Sequence, residues 1–285
     1  MSKILIASDS TTDLSPELIE AHDIKILPLG VSLGEDNYKD GVDVNPDMIY
    51  AYYEANKRLP KTAAINIAEC TEFFKHYTER GYDIVFFTIS AEMSSTYQNA
   101  RLAAEEFENV YVVDTRNLST GGGLLLLAAY DMIKEGKTAE EIAKECERLT
   151  PYVSASFVID SLEFLHKGGR CSTLAAFGAN LLKLKPCIVV RSGKMGVSKK
   201  YRGPFGKVLK EYVKDQVGEY EDIDLTRVFV THAGCDEEII NACVEQVKEL
   251  APFRELHITR AGCTVSSHCG RNTLGVLFIK KKPLA

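Results

Sequence analysis

The stretch Ile84-Val85-Phe86-Phe87-Thr88, followed by Ser90-Ala91-Glu92-Met93-Ser94-Ser95-Thr96-Tyr97-Gln98, decides how the first half of the chain is read. An unbroken apolar run offers water no polar face, so its strand belongs in a parallel sheet covered by helices on both sides. The hydroxyl-rich turn after it opens a helix expected over Ser95–Phe107. Such a turn presents free N–H groups and the positive end of the helix dipole, which suit a carboxylate or a phosphate. Capping of the helix is the structural use of the same residues. The chain lacks GxxxxGK[ST], so the turn is not a P-loop.

Working outward, the same grammar repeats. Lys3–Ala7, Lys25–Leu29 and Val110–Val113 read as strands, and Ser15–Ala21, Asn45–Ala55, Gly121–Ile133 and Ala139–Leu149 as helices. Pro46 suits a first helical position. Strands alternating with helices specify an α/β/α unit. After Pro151 the grammar changes. Ser154–Ile159, Cys187–Arg191, Gly196–Tyr201, Arg227–Thr231, Glu255–Thr259 and Leu274–Ile279 are strand candidates. Only a few helices are expected between them, chiefly within Leu162–Leu184, Phe205–Gly218 and Asp236–Leu250. Ser192-Gly193-Lys194 marks a hairpin. The expectation is an α/β protein with an N-terminal three-layer parallel-sheet domain, 1–150, and a C-terminal two-layer α+β domain with a mixed sheet, 151–285.

Composition narrows the function. Of 285 residues, 45% are hydrophobic and 26% charged, the balance of a globular protein with a sizeable core. A formal net charge of −6 disfavours non-specific nucleic-acid binding and anionic membranes. Ile4-Leu5-Ile6-Ala7 is too short an apolar run for a signal peptide and Leu124–Ala129 too short for a membrane span, so a cytoplasmic protein is expected. The eight cysteines form no CxxC pair and are read as reduced thiols.

Three loop clusters sit where strands end or begin. Ser8-Asp9-Ser10-Thr11-Thr12-Asp13 follows the first strand, at the edge where open α/β sheets bind ligands, and is a plausible wall of a site. The turn at Ser90–Gln98 is the second. The third, Ser267-His268-Cys269-Gly270-Arg271-Asn272-Thr273, precedes the last strand. On a strand, His268 and Cys269 would point to opposite faces, so they make no catalytic dyad. The histidines lack metal-ligand spacing. Lys167-Gly168-Gly169-Arg170 reads as a helix end or a close backbone approach. Lys199-Lys200-Tyr201-Arg202, with Lys207 and Lys210, is a basic strip that suits a phosphate, an acidic partner or plain solvation.

In order and spacing these elements resemble the DegV family over essentially the whole chain. The resemblance rests on Ser8-Asp9-Ser10; Lys61-Thr62; Met93-Ser94 with Thr96-Tyr97-Gln98; Ser156-Phe157-Val158-Ile159-Asp160; Leu162-Glu163-Phe164-Leu165 running into Lys167-Gly168-Gly169-Arg170; Arg202; and His268-Cys269-Gly270. It implies a lipid-binding carrier of bacterial phospholipid metabolism that holds a long-chain fatty acid between its two domains. The carrier would present the carboxylate to a separate ATP-dependent fatty acid kinase for acyl-phosphate formation. The resemblance implies no cofactor, no metal and no catalysis by the chain itself. Carried over, Thr62, Ser94 and His268 are the carboxylate ligands, Arg170 supports them, and Arg202 lies at the phosphotransfer face. A tail of about 15 methylenes at ~0.8 kcal/mol each would supply about 12 kcal/mol of gross transfer energy. Thr62-Ala63-Ala64-Ile65 stands where the family usually has Thr-Ser-Gln-Pro, which removes polar groups beside the head group. Arg271-Asn272 replaces Pro-Gly, which is expected to place a cation beside His268. The alternative is a serine- or histidine-dependent acyl hydrolase or transferase, for which no GxSxG elbow is present. A DNA-binding regulator would need a basic recognition element that the chain lacks.

Overall fold

The computed structural model describes residues 3–171 and 184–284. The first half runs β1 (Lys3–Asp9), α1 (Pro16–Ala21), β2 (Lys25–Leu27), β3 (Gly30–Leu33), β4 (Asp36–Lys39), α2 (Pro46–Asn56), β5 (Lys61–Ala63), α3 (Ile67–Thr78), β6 (Tyr82–Thr88), α4 (Thr96–Ala104), β7 (Val110–Asp114), α5 (Thr120–Lys134) and α6 (Ala139–Leu149). Four strands form a wholly parallel sheet in the order β2-β1-β6-β7. The apolar run at Ile84 lies at its centre, buried on both faces, as its composition requires.

The second half runs β8 (Val153–Ile159), α7 (Glu163–Gly168), β9 (Lys185–Arg191), β10 (Lys194–Tyr201), α8 (Phe205–Val217), β11 (Ile223–Ala233), α9 (Glu237–Leu250), β12 (Glu255–Arg260), α10 (Cys263–Cys269) and β13 (Thr273–Lys280). Its six strands form one mixed sheet in the order β10-β9-β8-β13-β11-β12, parallel only between β11 and β12. Ser192 and Gly193 both have positive φ (47° and 83°) and turn the β9–β10 hairpin. The remainder of the helical stretch expected up to Leu184, residues 172–183, lies outside the described residues.

Helices α3 and α4 close one face of the parallel sheet through Phe74, Phe86 and Ala100. Helices α8 and α9 close the outer face of the mixed sheet around Val208, Tyr212, Val244 and Val276. Between the sheets, α5 and α6 share a single apolar core with both. Ile6, Val85 and Phe87 belong to the same cluster as Leu125, Phe157, Phe229 and Leu277. Every residue of α5 from Thr120 to Leu127 is buried. Its start permits this: a Cβ on Gly123 would stand 2.7 Å from the Leu14 side chain and 3.1 Å from the Thr12 carbonyl. Only glycine lets the 3₁₀ turn Ser10–Thr12 lean so closely on that helix.

Three features depart from the sequence reading. The first is a small antiparallel sheet, β4-β3-β5, whose strands have only three or four residues. The second is α3, which starts with a complete capping box of Asn66 and Glu69. The third bears on the site. Residues 263–269 form helix α10 and not extended chain. Cys-Thr-Val-Ser-Ser-His-Cys has poor helix propensity, and what holds it is tertiary. Asp40 accepts the backbone N–H groups of Cys263 (2.8 Å) and Thr264 (3.0 Å). Asp13 accepts that of Gly262 (2.8 Å).

Candidate head-group site

Helix α10 packs against α2, α7 and β5 and carries His268 near its end. The imidazole Nε2 lies 2.8 Å from Thr62 Oγ1 at the middle of β5. Ser94 stands on the loop between β6 and α4, its Oγ 2.9 Å from Thr96 Oγ1. Arg170 follows α7, where its Nη1 donates to the Gly168 carbonyl at 2.8 Å. These four side chains, from distant parts of the chain, line one cavity of about 380 Å³. Its other walls are mostly apolar: Leu29, Ile89, Met93, Leu118, Met195 and Val265. Behind Leu118, Val265 and Cys269 a second space of about 30 Å³ runs on against Ala155, Phe157 and Leu277 of the mixed sheet. A few polar groups in a mostly apolar cleft are the arrangement expected of a small-molecule site.

His268 is held neutral. Burial, reinforced by the Arg170 charge, pushes its pKa down to about 4. Its Nδ1 is buried without a hydrogen-bond partner among the described residues. Burial and the Arg170 charge both disfavour an imidazolium, so the ring serves as a hydrogen-bond donor or acceptor and makes a poor general base at neutral pH. Ser94 hydrogen-bonds Thr96 and not the histidine. Cys269 lines the cavity, but burial raises its thiol to about 12, which keeps it protonated. Because α10 is helical, Cys269 follows His268 around the helix and does not point to the opposite face, as a strand would have required.

The other candidates lie elsewhere. The cluster Ser8–Asp13 does not line the cavity. It braces the scaffold instead: Asp9 accepts from Thr11 N, Thr11 Oγ1 and Ile89 N at 2.9, 2.6 and 2.7 Å. Arg202 is exposed just beyond β10. Met195, near the other end of that strand, lines the cavity, seven positions or about 23 Å away along an extended strand. Within the basic strip, Lys199 is already paired with Asp215 (2.6 Å) and Glu211 (3.3 Å). Arg271 does not stand beside His268. Its guanidinium lies over the Tyr50 ring, 4.9 Å from the centroid, because the turn after α10 carries it towards α2. Thr96 enters the sequence reading only within a motif, whereas the close backbone approach expected as one alternative for the glycines at 168 and 169 is met at Gly168, where a Cβ would stand 2.7 Å from His268 Nδ1.

The model of the DegV family, described as "Uncharacterised protein, DegV family", matches residues 3–281. A DegV domain-containing protein of Clostridium perfringens is 32% identical over 284 residues, covering 99% of this chain and 100% of the relative. Among solved structures, a DegV family protein of Thermus thermophilus described for its fatty acid binding superposes with a TM-score of 0.90 at 29% identity, covering 98% and 99% of the two chains. A stearic acid-binding protein of Eubacterium ventriosum gives a TM-score of 0.84 at 27% identity, covering 98% of each chain.

Proposed function

The chain belongs to the DegV family, and from that membership and the cleft just described we propose that it binds a long-chain fatty acid between a parallel-sheet domain, 1–150, and a mixed-sheet domain, 151–285. The carboxylate meets Thr62, Ser94 and His268 with Arg170 beside them, and the tail enters the apolar cleft. The convergence of these four side chains on one cavity carries the reading. A carboxylate leaving water needs several donors, or it would protonate. The Thr62 and Ser94 hydroxyls and the Arg170 guanidinium supply them, with the neutral imidazole hydrogen-bonded to Thr62, and the tail supplies the bulk of the affinity. The solved relatives named for fatty acid or stearic acid binding support the ligand class.

The chain is a carrier that presents the carboxylate to a separate ATP-dependent kinase. Support comes from the missing P-loop and from Ser94, whose hydrogen-bond partner is a threonine and no base. Native mass spectrometry of freshly purified protein should show a co-purified lipid of fatty-acid mass. Thr62→Ala, Ser94→Ala and His268→Ala should each weaken fatty-acid binding by about 1–3 kcal/mol, as a charged acceptor loses a donor. Unchanged affinity in all three would remove the head-group assignment. Steady ester hydrolysis that vanishes in Ser94→Ala would favour an acyl hydrolase.

A further inference from the structure

We infer that Thr96 and Gly168, standing behind Ser94 and His268, are positioning residues that fix the direction of the hydrogen bonds in the head-group pocket, so that both Ser94 and Thr62 turn their protons to the ligand and the site selects an ionised carboxylate over an uncharged ester. The inference rests on the fatty-acid reading above and adds to it which way each proton points.

The first relay starts at Thr96. Its side chain is fully buried, and among the described residues its hydroxyl has Ser94 Oγ as partner, 2.9 Å away. If Ser94 donated to Thr96, the Thr96 proton would be buried and unused, which a folded protein avoids. Thr96 therefore donates to Ser94. The Thr96 backbone N–H donates to the same oxygen at 3.2 Å. With both approaches accepted, the Ser94 proton is left for the cavity that its side chain lines.

The second relay starts at Gly168. A Cβ there would stand 2.7 Å from His268 Nδ1, so the glycine backs the imidazole at close range without offering it an acceptor. A proton on Nδ1 would be a buried donor without a partner, a costlier state than a bare acceptor. The neutral ring therefore carries its proton on Nε2 and donates to Thr62 Oγ1 at 2.8 Å. The Thr62 hydroxyl, having accepted, is free to donate onward to the ligand. In the other tautomer Thr62 would spend its proton on the imidazole and the ligand would find a lone pair. An anionic carboxylate accepts from both hydroxyls with charge-assisted bonds, whereas an ester offers only neutral acceptors. The lowered pKa of His268, which keeps the ring neutral, agrees with this arrangement.

The test uses the full chain with stearate and methyl stearate as probes. Thr96→Val should weaken stearate about tenfold while leaving the weaker methyl stearate binding and the melting temperature near wild type, and Thr96→Ser should restore stearate affinity. Gly168→Ala should weaken stearate in the wild-type background and have little effect when combined with His268→Ala, because it acts through the ring. Imidazole 15N spectra should show His268 protonated on Nε2. A proton on Nδ1, or Thr96→Val binding stearate as tightly as wild type, overturns the inference alone. Wild-type protein that binds neither probe overturns the fatty-acid reading and this inference together.

Discussion

The two ends of helix α10 carry polar clusters of opposite character. At its start, Asp13 and Asp40 accept the N–H groups of Gly262, Cys263 and Thr264. Ser119 Oγ also donates to Asp13, and Ser10 Oγ to Asp40 at 3.0 Å. Every one of those groups is matched. At its end, His268 is hydrogen-bonded to Thr62, and the hydroxyls of Thr62 and Ser94, which line the cavity, are inferred above to turn their protons into it. Buried polar groups that satisfy one another stabilise a scaffold, and donors left unmatched await a ligand. From sequence the two clusters read alike, as hydroxyl- and carboxylate-bearing loops at strand ends. What separates them is whether the hydrogen bonds close within the protein.

The contrast breaks most sharply at Asp40. Asp40→Ala strands two backbone N–H groups of α10 and the Ser10 hydroxyl, and each lost acceptor costs about 1–3 kcal/mol. Unfolding free energy from urea titration should fall by about 3–9 kcal/mol, with fatty-acid affinity dropping as α10 loosens. His268→Ala should instead spare stability and act on affinity. A variant at Asp40 as stable as wild type would show that α10 is held by its packing and not by this cluster.

The pH dependence of stability sharpens the same comparison. Burial raises Asp13 from 3.8 to about 8 and Asp9 to about 6. Each native carboxyl keeps a proton that the unfolded chain has already released. Their contribution is therefore fullest below pH 3.8 and declines as pH rises towards those values. His268, lowered from 6.5 to about 4, runs the other way: its contribution is present above pH 6.5 and is lost as pH falls towards 4. Asp13→Asn cannot ionise. Its stability relative to wild type should rise between about pH 4 and pH 8, by up to about 1.4 kcal/mol per unit, and level off above. A constant difference across that range would mean that Asp13 is ionised throughout.

Arg202 belongs to neither end of α10 and gives the smallest expected effect on binding. Arg202→Ala should leave melting temperature and fatty-acid affinity within about 0.5 kcal/mol of wild type, as an exposed side chain does. Acyl-phosphate formation with an ATP-dependent fatty acid kinase should fall, since an arginine can meet the added phosphate charge. Parallel loss of lipid binding would place Arg202 with His268 and undo the separation.

Long, periodic elements were legible in the sequence: the apolar run at Ile84, the amphipathic Ala139–Leu149 and the hairpin at Ser192-Gly193 all lie within a residue or two of their expected limits. The residues around the cavity were reached through motif order, which contains no geometry. Helix α10 was not legible, because its helicity comes from Asp40, more than 220 positions away in sequence. Nor could sequence show that Asp9 and Asp13 turn inward while Ser94 turns to the cavity. That choice depends on which backbone N–H groups the fold brings within reach, and Ile89 N and Gly262 N meet the aspartates only after the strands have assembled. Arg271 moved away from its expected place for a similar reason, since the turn after α10 delivers it to Tyr50.

The apolar core shared by the two sheets has a consequence for how the chain comes apart. Residues of β1 and β6 belong to one cluster with residues of β8, β11 and β13, and α5 lies buried among them. Cutting near Thr150 would leave the first fragment with the mixed-sheet side of α5 bare to water, a contiguous oily surface of the kind that self-associates. The halves are therefore not independent cooperative units: heating the intact protein should melt both sheets in one calorimetric transition, and residues 1–150 expressed alone should aggregate.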